Sequence, residues 1–184
     1  MKRINKKNIN DVSYWDNNIA QPEFGLRQEK YLNLAGKGDS IIELGCGLSP
    51  FLDKARNNFK KVVGLDFSVK TVIEARNKFE EVEYICGDAL NTKLKDKEFD
   101  VSVAGEVIEH LEYPEKLLDE MARITKFRMI ISTAKMEYND PEHLWEFTAK
   151  DLEKLGKKYG RVKVEEVKSE WFPGRSYLFM IIFL

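Results

Sequence analysis

Ser40-Ile41-Ile42-Glu43-Leu44-Gly45-Cys46-Gly47-Leu48-Ser49-Pro50 reads as a buried apolar strand that ends in an acid and a glycine turn, then opens a helix. Gly45 and Gly47 lack Cβ atoms, so the backbone there can turn sharply and approach a ligand closely. Ser49 suits a helix N-cap and Pro50 the first helical position. This is the start of a nucleotide-binding α/β unit with one departure. A dinucleotide fingerprint places a third glycine where Pro50 stands, and an anion site needs free N–H groups there. Proline offers none, and Glu43 would repel a phosphate. The turn therefore favours a cationic or zwitterionic nucleoside over a diphosphate.

Outward from this stretch, short apolar runs at 40–44, 61–65, 82–86, 99–104 and 127–133 alternate with helical patterns. A helix is expected after Pro22, with Phe24, Gln28, Tyr31, Leu32 and Ala35 near one face, ending before Gly36 and Gly38. Ser68 is expected to cap another, with Val69, Val72, Ile73 and Phe79 inward. Pro114 opens a third, with Leu117, Leu118, Met121 and Ile124 at helical spacing. Such alternation implies a parallel sheet covered on both faces. The end of the sequence differs. Thr148 starts a helix carrying Leu152, Leu155 and Tyr159, and Arg161–Val167 and Tyr177–Leu184 read as strands. Only about 9 residues join those two strands, and a parallel crossover needs a dozen or more, so they form an antiparallel hairpin.

Acids recur at the strand ends. Asp66 lies about 20 residues beyond the glycine turn, the distance at which one βαβ passage returns a carboxylate to a ribose. Asp88 ends a third apolar stretch, where it could accept an adenine amino group, and Ala89 leaves room for a ring. Glu43, Asp66 and Asp88 would then face one crevice at the carboxyl ends of the strands, the usual ligand position in an open α/β sheet.

These segments carry a resemblance. Glu43-Leu-Gly-Cys-Gly47 resembles motif I of the class I S-adenosylmethionine-dependent methyltransferases. Val62-Val-Gly-Leu-Asp66-Phe-Ser68 resembles that family's second strand, Tyr84-Ile-Cys-Gly87-Asp88-Ala89 its adenine segment, and Phe99–Leu111 its fourth strand and exit loop. Single short motifs are weak signals, and four in order are strong. The resemblance covers residues 38–184. It implies an α/β, doubly wound Rossmann-like sheet of seven mostly parallel strands, with an antiparallel last strand inserted inside the sheet and helices on both faces. One domain over 1–184 is expected, with 1–37 as an N-terminal helical or lid segment and 38–184 as the core. The implied cofactor is S-adenosyl-L-methionine, leaving as S-adenosyl-L-homocysteine. Its implied contacts are Glu43, Gly45, Cys46, Gly47, Asp66, Phe67, Ser68, Asp88, Ala89 and, near the amino-acid end, Glu106.

Methyl transfer is an in-line displacement in which the cofactor carries the reactive group and the protein aligns and desolvates. A general base is required only when the acceptor must lose a proton. The sequence holds two histidines, His110 and His143, both where the family places substrate-side loops, and these are the candidate catalytic residues. If 106–110 forms a helical turn, Glu106, Glu109 and His110 share a face at i, i+3 and i+4 and could bind a divalent cation. Glu-x-x-Glu-His resembles the terminal 2′-O-methyltransferases of small RNAs, which hold magnesium with two Glu and two His, and His143–Thr148 resembles their second-histidine segment. Metal-assisted quinone-pathway O-methyltransferases carry a similar acidic segment. The second histidine of that later segment is missing and no basic surface is evident, which places a metal second to a metal-free site.

Net charge is −1 with 33% charged residues, so no global field draws the protein to nucleic acid or an anionic membrane. The run Lys2-Arg3-Ile4-Asn5-Lys6-Lys7 is expected to be a solvated, frayed terminus. No apolar stretch follows it as in a signal peptide, and none approaches the ~20 residues that span a bilayer. Cys46 and Cys86 are expected as reduced thiols in a cytoplasmic protein. A small-molecule methyl acceptor is the leading partner, ahead of RNA. A non-catalytic cofactor-binding subunit is a further alternative, and an NAD-dependent dehydrogenase is set back by Pro50. Tyr14, Trp15, Tyr138, Trp145, Trp171 and Phe172 could cover the acceptor pocket or the sheet's end. Arg175, in the turn Phe172-Pro-Gly-Arg-Ser, could meet an acceptor carboxylate or phosphate but is expected to be solvated, and Arg27 on the first helix is open in the same way.

Overall fold

The structure is a computed structural model that describes residues 1–3, 25–135, 143–169 and 176–184. Phe24, Tyr14, Trp15, Tyr138, Trp171, Phe172 and Arg175 lie outside the described residues, so the expectations placed on them end there.

The elements in chain order are α1 (Leu26–Ala35), β1 (Gly38–Leu44), α2 (Pro50–Ala55), β2 (Phe59–Asp66), α3 (Val69–Lys78), β3 (Glu83–Cys86) and β4 (Phe99–Gly105). A single 3₁₀ turn (Ile108–His110) follows, then α4 (Pro114–Ile124), β5 (Thr125–Lys135), α5 (Ala149–Gly156), β6 (Arg161–Lys168) and β7 (Ser176–Phe183). The strands form a seven-stranded sheet in the order β3-β2-β1-β4-β5-β7-β6. The β3–β2, β2–β1, β1–β4 and β4–β5 pairs are parallel, and β7 is antiparallel to both β5 and β6. The expected seven-stranded sheet with one antiparallel inserted strand is therefore present. Strand order reverses between β1 and β4, and the crevice outside their carboxyl ends is where open α/β sheets bind ligands.

Period-2 alternation divides each central strand between two cores. Ile41 of β1 joins Tyr31, Phe51, Leu52, Val72 and Ala75 under α1, α2 and α3. Ile42 and Leu44 join Leu117, Leu118, Met121, Ile124 and Leu152 under α4 and α5. Each fully buried aliphatic or aromatic side chain contributes about 1.5–3 kcal/mol relative to exposure.

One helix sits in a different phase from that expected. Val72 faces inward and Phe79 packs partly buried against the same core, but Val69 and Ile73 are 55% and 52% exposed. Ser68 caps α3 through the Thr71 N–H at 3.0 Å, which fixes the helix phase. Ser68, Thr71, Val72 and Ala75 then lie inward at i, i+3, i+4 and i+7, and the outer apolar pair is left to solvent. The N-cap of α2 also differs. Ser49 stands at the cap position with no side-chain cap bond.

The N-terminus is pinned at its first residues. Lys2 and Arg3 pair antiparallel with Glu146 and Trp145, and the Met1 ammonium pairs with the Asp151 carboxylate. This corrects the expected frayed start; residues 4–7 of that run lie outside the described residues. Among the described residues no helix is long and apolar enough to cross a membrane.

Candidate cofactor and acceptor site

Gly45 and Gly47 have φ of +67° and +54°, in the region L-residues rarely adopt. A Cβ on Gly45 would stand 2.6 Å from Val107 Cγ2, so glycine is also required by the close approach of the segment after β4. The Gly45 and Cys46 N–H groups both donate to the Leu65 carbonyl, at 2.7 and 3.1 Å, tying the turn to the end of β2.

Asp66 holds the crevice floor together. Its Oδ2 accepts the Gly47 N–H at 2.9 Å and its Oδ1 accepts the Ser68 N–H at 3.0 Å. Its carbonyl accepts the Gly87 N–H at 2.9 Å, which brings the exit of β3 alongside. Carboxylates with several lone pairs can accept further donors, so these bonds leave capacity for ribose hydroxyls. Asp88 is exposed and accepts the Leu90 N–H at 2.8 Å, with Phe67 and Ala89 half-buried nearby in the chain. Both cysteines are free thiols; Cys46 is buried and Cys86 exposed.

Glu43 is buried at the end of β1, and its Oε2 has no hydrogen-bond partner among the described residues. Burial pushes its carboxyl up to about 8, against the Ser49 bond and the Arg27 charge, with Asp66 adding repulsion. A folded-state value above the usual carboxylate value means the native state binds more protons than the unfolded chain between about pH 4.5 and 8. Stability of the unliganded protein should therefore fall as pH rises through that window, by up to about 1.4 kcal/mol per pH unit for one proton. Glu109, also pushed up by burial, adds to the slope. Melting temperatures from pH 5 to 8 should show the fall, and Glu43→Gln should flatten it; an unchanged slope would place Glu43's proton elsewhere.

At the exit of β4, Glu106 adopts φ +57°. This turns its carboxylate toward β5 and α1, where Ser132 Oγ donates to its Oε1 at 2.8 Å and Arg27 Nη1 lies 3.7 Å from its Oε2. Tyr31 OH is 2.5 Å from Ser132 Oγ. The single Ser132 proton goes to Glu106, so Tyr31 is the donor in that bond, and burial holds its phenol well above the usual range. A Cβ on Gly105 would sit 2.2 Å from the Tyr31 oxygen, so this relay requires glycine at 105. The Arg27 guanidinium also lies 5.1 Å above the Tyr177 ring. Sequence reading placed Tyr31 only as a core residue and did not assign Arg27 or Ser132. The Gly105-Glu106 pair at a strand exit was the available signal for them.

Beyond Glu106 the 3₁₀ turn buries Glu109 and His110, and His143 is buried beside them. The two imidazoles stand edge to face with centroids 4.8 Å apart, and His143 Nε2 is 4.0 Å from Glu109 Oε1. The Leu144 N–H donates to the Glu109 carbonyl at 2.8 Å, and Trp145 Nε1–H donates to the Leu111 carbonyl at 2.8 Å. These bonds bring the distant His143 segment onto the turn. The conditional grouping of Glu106 with Glu109 and His110 is not the one that forms: the 3₁₀ turn begins at Ile108, after Glu106, and Glu109 and His110 are joined instead by His143.

Residues 42–131 match the model of the family described as a methyltransferase domain. A probable S-adenosylmethionine-dependent methyltransferase of Mycolicibacterium smegmatis is 27% identical over 151 residues, 74% of this chain and 59% of that protein. The 2-phytyl-1,4-beta-naphthoquinone methyltransferase of Arabidopsis thaliana is 31% identical over 103 residues, 50% of this chain and 40% of that protein. The chain thus spans less than two thirds of the length of these relatives. Among solved structures, the magnesium protoporphyrin IX methyltransferase of Synechocystis with bound S-adenosylhomocysteine superposes with a TM-score of 0.71 at 16% identity, covering 96% of this chain and 94% of that one. Residues 42–131 thus match a methyltransferase domain, and the motif and strand order agree with the resemblance to the class I S-adenosylmethionine-dependent methyltransferases.

Proposed function

We propose that this chain transfers the methyl group of S-adenosylmethionine to a small-molecule acceptor. The observation that carries the reading is the buried Glu43 oxygen, without a partner among the described residues, beside Asp66 in a turn that carries Pro50 where an anion site needs an N–H. Such a pocket suits a nucleoside bearing positive charge and disfavours a diphosphate. When bound, S-adenosylmethionine supplies an electrophilic methyl group on a sulfonium. Asp66 accepts hydrogen bonds from the ribose, and Phe67, Asp88 and Ala89 border the base. Arg27 and Glu106 form an ion pair whose two charges match the carboxylate and ammonium of an amino acid. Ser132, held by Tyr31, keeps Glu106 aimed. Gly45, Cys46, Gly47 and Ser68 supply the backbone that lets the cofactor approach. His110 and His143 assist loss of the acceptor's proton, with Glu109 behind them.

The small-molecule class is supported by the net charge of −1 and by relatives named for quinone and porphyrin substrates. We place the protein in the cytoplasm on its two free thiols. Calorimetry should show S-adenosylhomocysteine binding and no NAD binding, and an acceptor panel should then release S-adenosylhomocysteine. Tight NAD binding without S-adenosylhomocysteine binding would sink the reading. Acceptor binding that weakens steeply with salt would move the acceptor to RNA.

A further inference from the structure

We propose that Tyr84 is a positioning residue for the cofactor site that acts through Glu43, its phenol reaching across β2 to hydrogen-bond the Glu43 carboxylate. The sheet register sets up the pair. Glu43 of β1 stands opposite Gly64 of β2, and Gly64 stands opposite Tyr84 of β3. Residues opposite one another on neighbouring strands send their side chains to the same face, so Glu43 and Tyr84 share a face with only a glycine between them. Two interstrand spacings put their Cα atoms about 9.6 Å apart, a gap that a tyrosine and a glutamate leaning toward each other span. The tyrosine does lean that way. A Cβ on Gly64 would stand 2.7 Å from both Cδ1 and Cε1 of Tyr84, so the ring lies over Gly64 and carries its hydroxyl beyond, toward β1.

Both ends of the gap need a partner. Tyr84 and Glu43 are each 4% exposed, and the Tyr84 hydroxyl and Glu43 Oε2 have no hydrogen-bond partner among the described residues. Buried polar atoms in that condition are costly, and one bond between them relieves both. The phenol feels Cys46, Glu43 and Asp53. A thiol is a weak acceptor, and the Asp53 carboxylate already takes the Arg56 guanidinium, which leaves Glu43. Burial holds the phenol above its usual range, so it stays protonated and able to donate. Around Glu43 stand Arg27 and Tyr31 of α1, Asp66 of β2 and Cys46 of the turn. Burial and Asp66 oppose a charge on Glu43, while Ser49 and Arg27 favour it. A phenol donor joins the favouring side, since a hydrogen bond to the charged form stabilises it. An ionised Glu43 is what a positively charged cofactor requires, and that link alone rests on the function proposed above.

The test is Tyr84→Phe in the full chain, which keeps the ring and removes the one donor. Without cofactor, carbon-13 NMR follows the Glu43 carboxyl through pH, identified as the signal that Glu43→Gln removes. Its titration should move up in Tyr84→Phe by about 1–2 pH units, the range of a hydrogen bond to a charged group. With cofactor, the calorimetric Kd for S-adenosylmethionine should weaken about 10–100-fold below neutral pH, where ionising Glu43 becomes harder by that factor. The difference should shrink as pH rises and Glu43 ionises in both proteins. In a Glu43→Gln background, Tyr84→Phe should change neither the Kd nor its pH dependence. Circular dichroism and melting establish that the variants are folded. An unmoved Glu43 titration, or a loss of affinity equal at every pH as altered packing would give, overturns the role. A moved titration in a chain that binds neither S-adenosylmethionine nor S-adenosylhomocysteine upholds the pair and sinks the function. Cofactor binding with an unmoved titration overturns the pair alone.

Discussion

Deletion of Phe179–Leu184 should leave a chain that does not fold. Phe179, Met180, Ile181 and Ile182 are each at most 1% exposed, on a strand with β5 on one side and β6 on the other. At about 1.5–3 kcal/mol for each buried side chain, their loss removes roughly 6–12 kcal/mol. A domain's whole stability is about 5–15 kcal/mol. The deletion also strips ladder partners from two strands, leaving buried N–H and C=O groups without bonds. Circular dichroism and thermal melting decide it. A truncated chain that melts cooperatively near the parent temperature would refute the interior position of β7.

Asp66→Ala should weaken S-adenosylhomocysteine binding by about 1.5–3 kcal/mol, the range for a hydrogen bond to a charged acceptor, or roughly 10–150-fold in Kd. The sequence suggests that a strand-end carboxylate matters little to the fold. The structure corrects this, since the same carboxylate holds the Gly47 and Ser68 N–H groups. Ser68 is fully buried, so alanine at 66 removes a buried hydrogen bond from its N–H, at about 1–3 kcal/mol of stability. Asp66→Asn retains an acceptor for Ser68 and should keep most of the stability while losing affinity. Calorimetric Kd values and melting temperatures for the two variants separate the roles. An unchanged Kd in both would remove Asp66 from the cofactor site.

The sheet was legible because its strands are short apolar runs of a length that fits strands alone. The terminal hairpin was legible because its connection is too short for a crossover. The phase of α3 was not, because Val69 and Ile73 are apolar yet outward, and the deciding contact is a Ser68 cap rather than a hydrophobic stripe. Glu43 and Asp66 could be found because each ends a strand in a recognisable segment. Arg27, Tyr31 and Ser132 could not, because they come from α1 and β5 and meet only through the sheet's topology. The same holds for His143, which reaches Glu109 through a backbone bond between segments far apart in sequence. Periodicity reports local structure, and this site is assembled from non-local contacts.

The inserted position of β7 also sets an order of events as the chain leaves the ribosome. β5 and β6 are made first, yet in the sheet they meet only through β7. Until that strand emerges, the outer rim of β5 is an unpaired template bearing Met129, Ile130 and Ile131. The β5–β7 register joins residues from 41 apart (Lys135 to Ser176) to 55 apart (Arg128 to Phe183). Loop closure over such distances is slow, and a nascent chain halted before it presents a rim that other chains can pair with. Productive folding of this sheet is therefore a race between the emergence of β7 and intermolecular strand pairing.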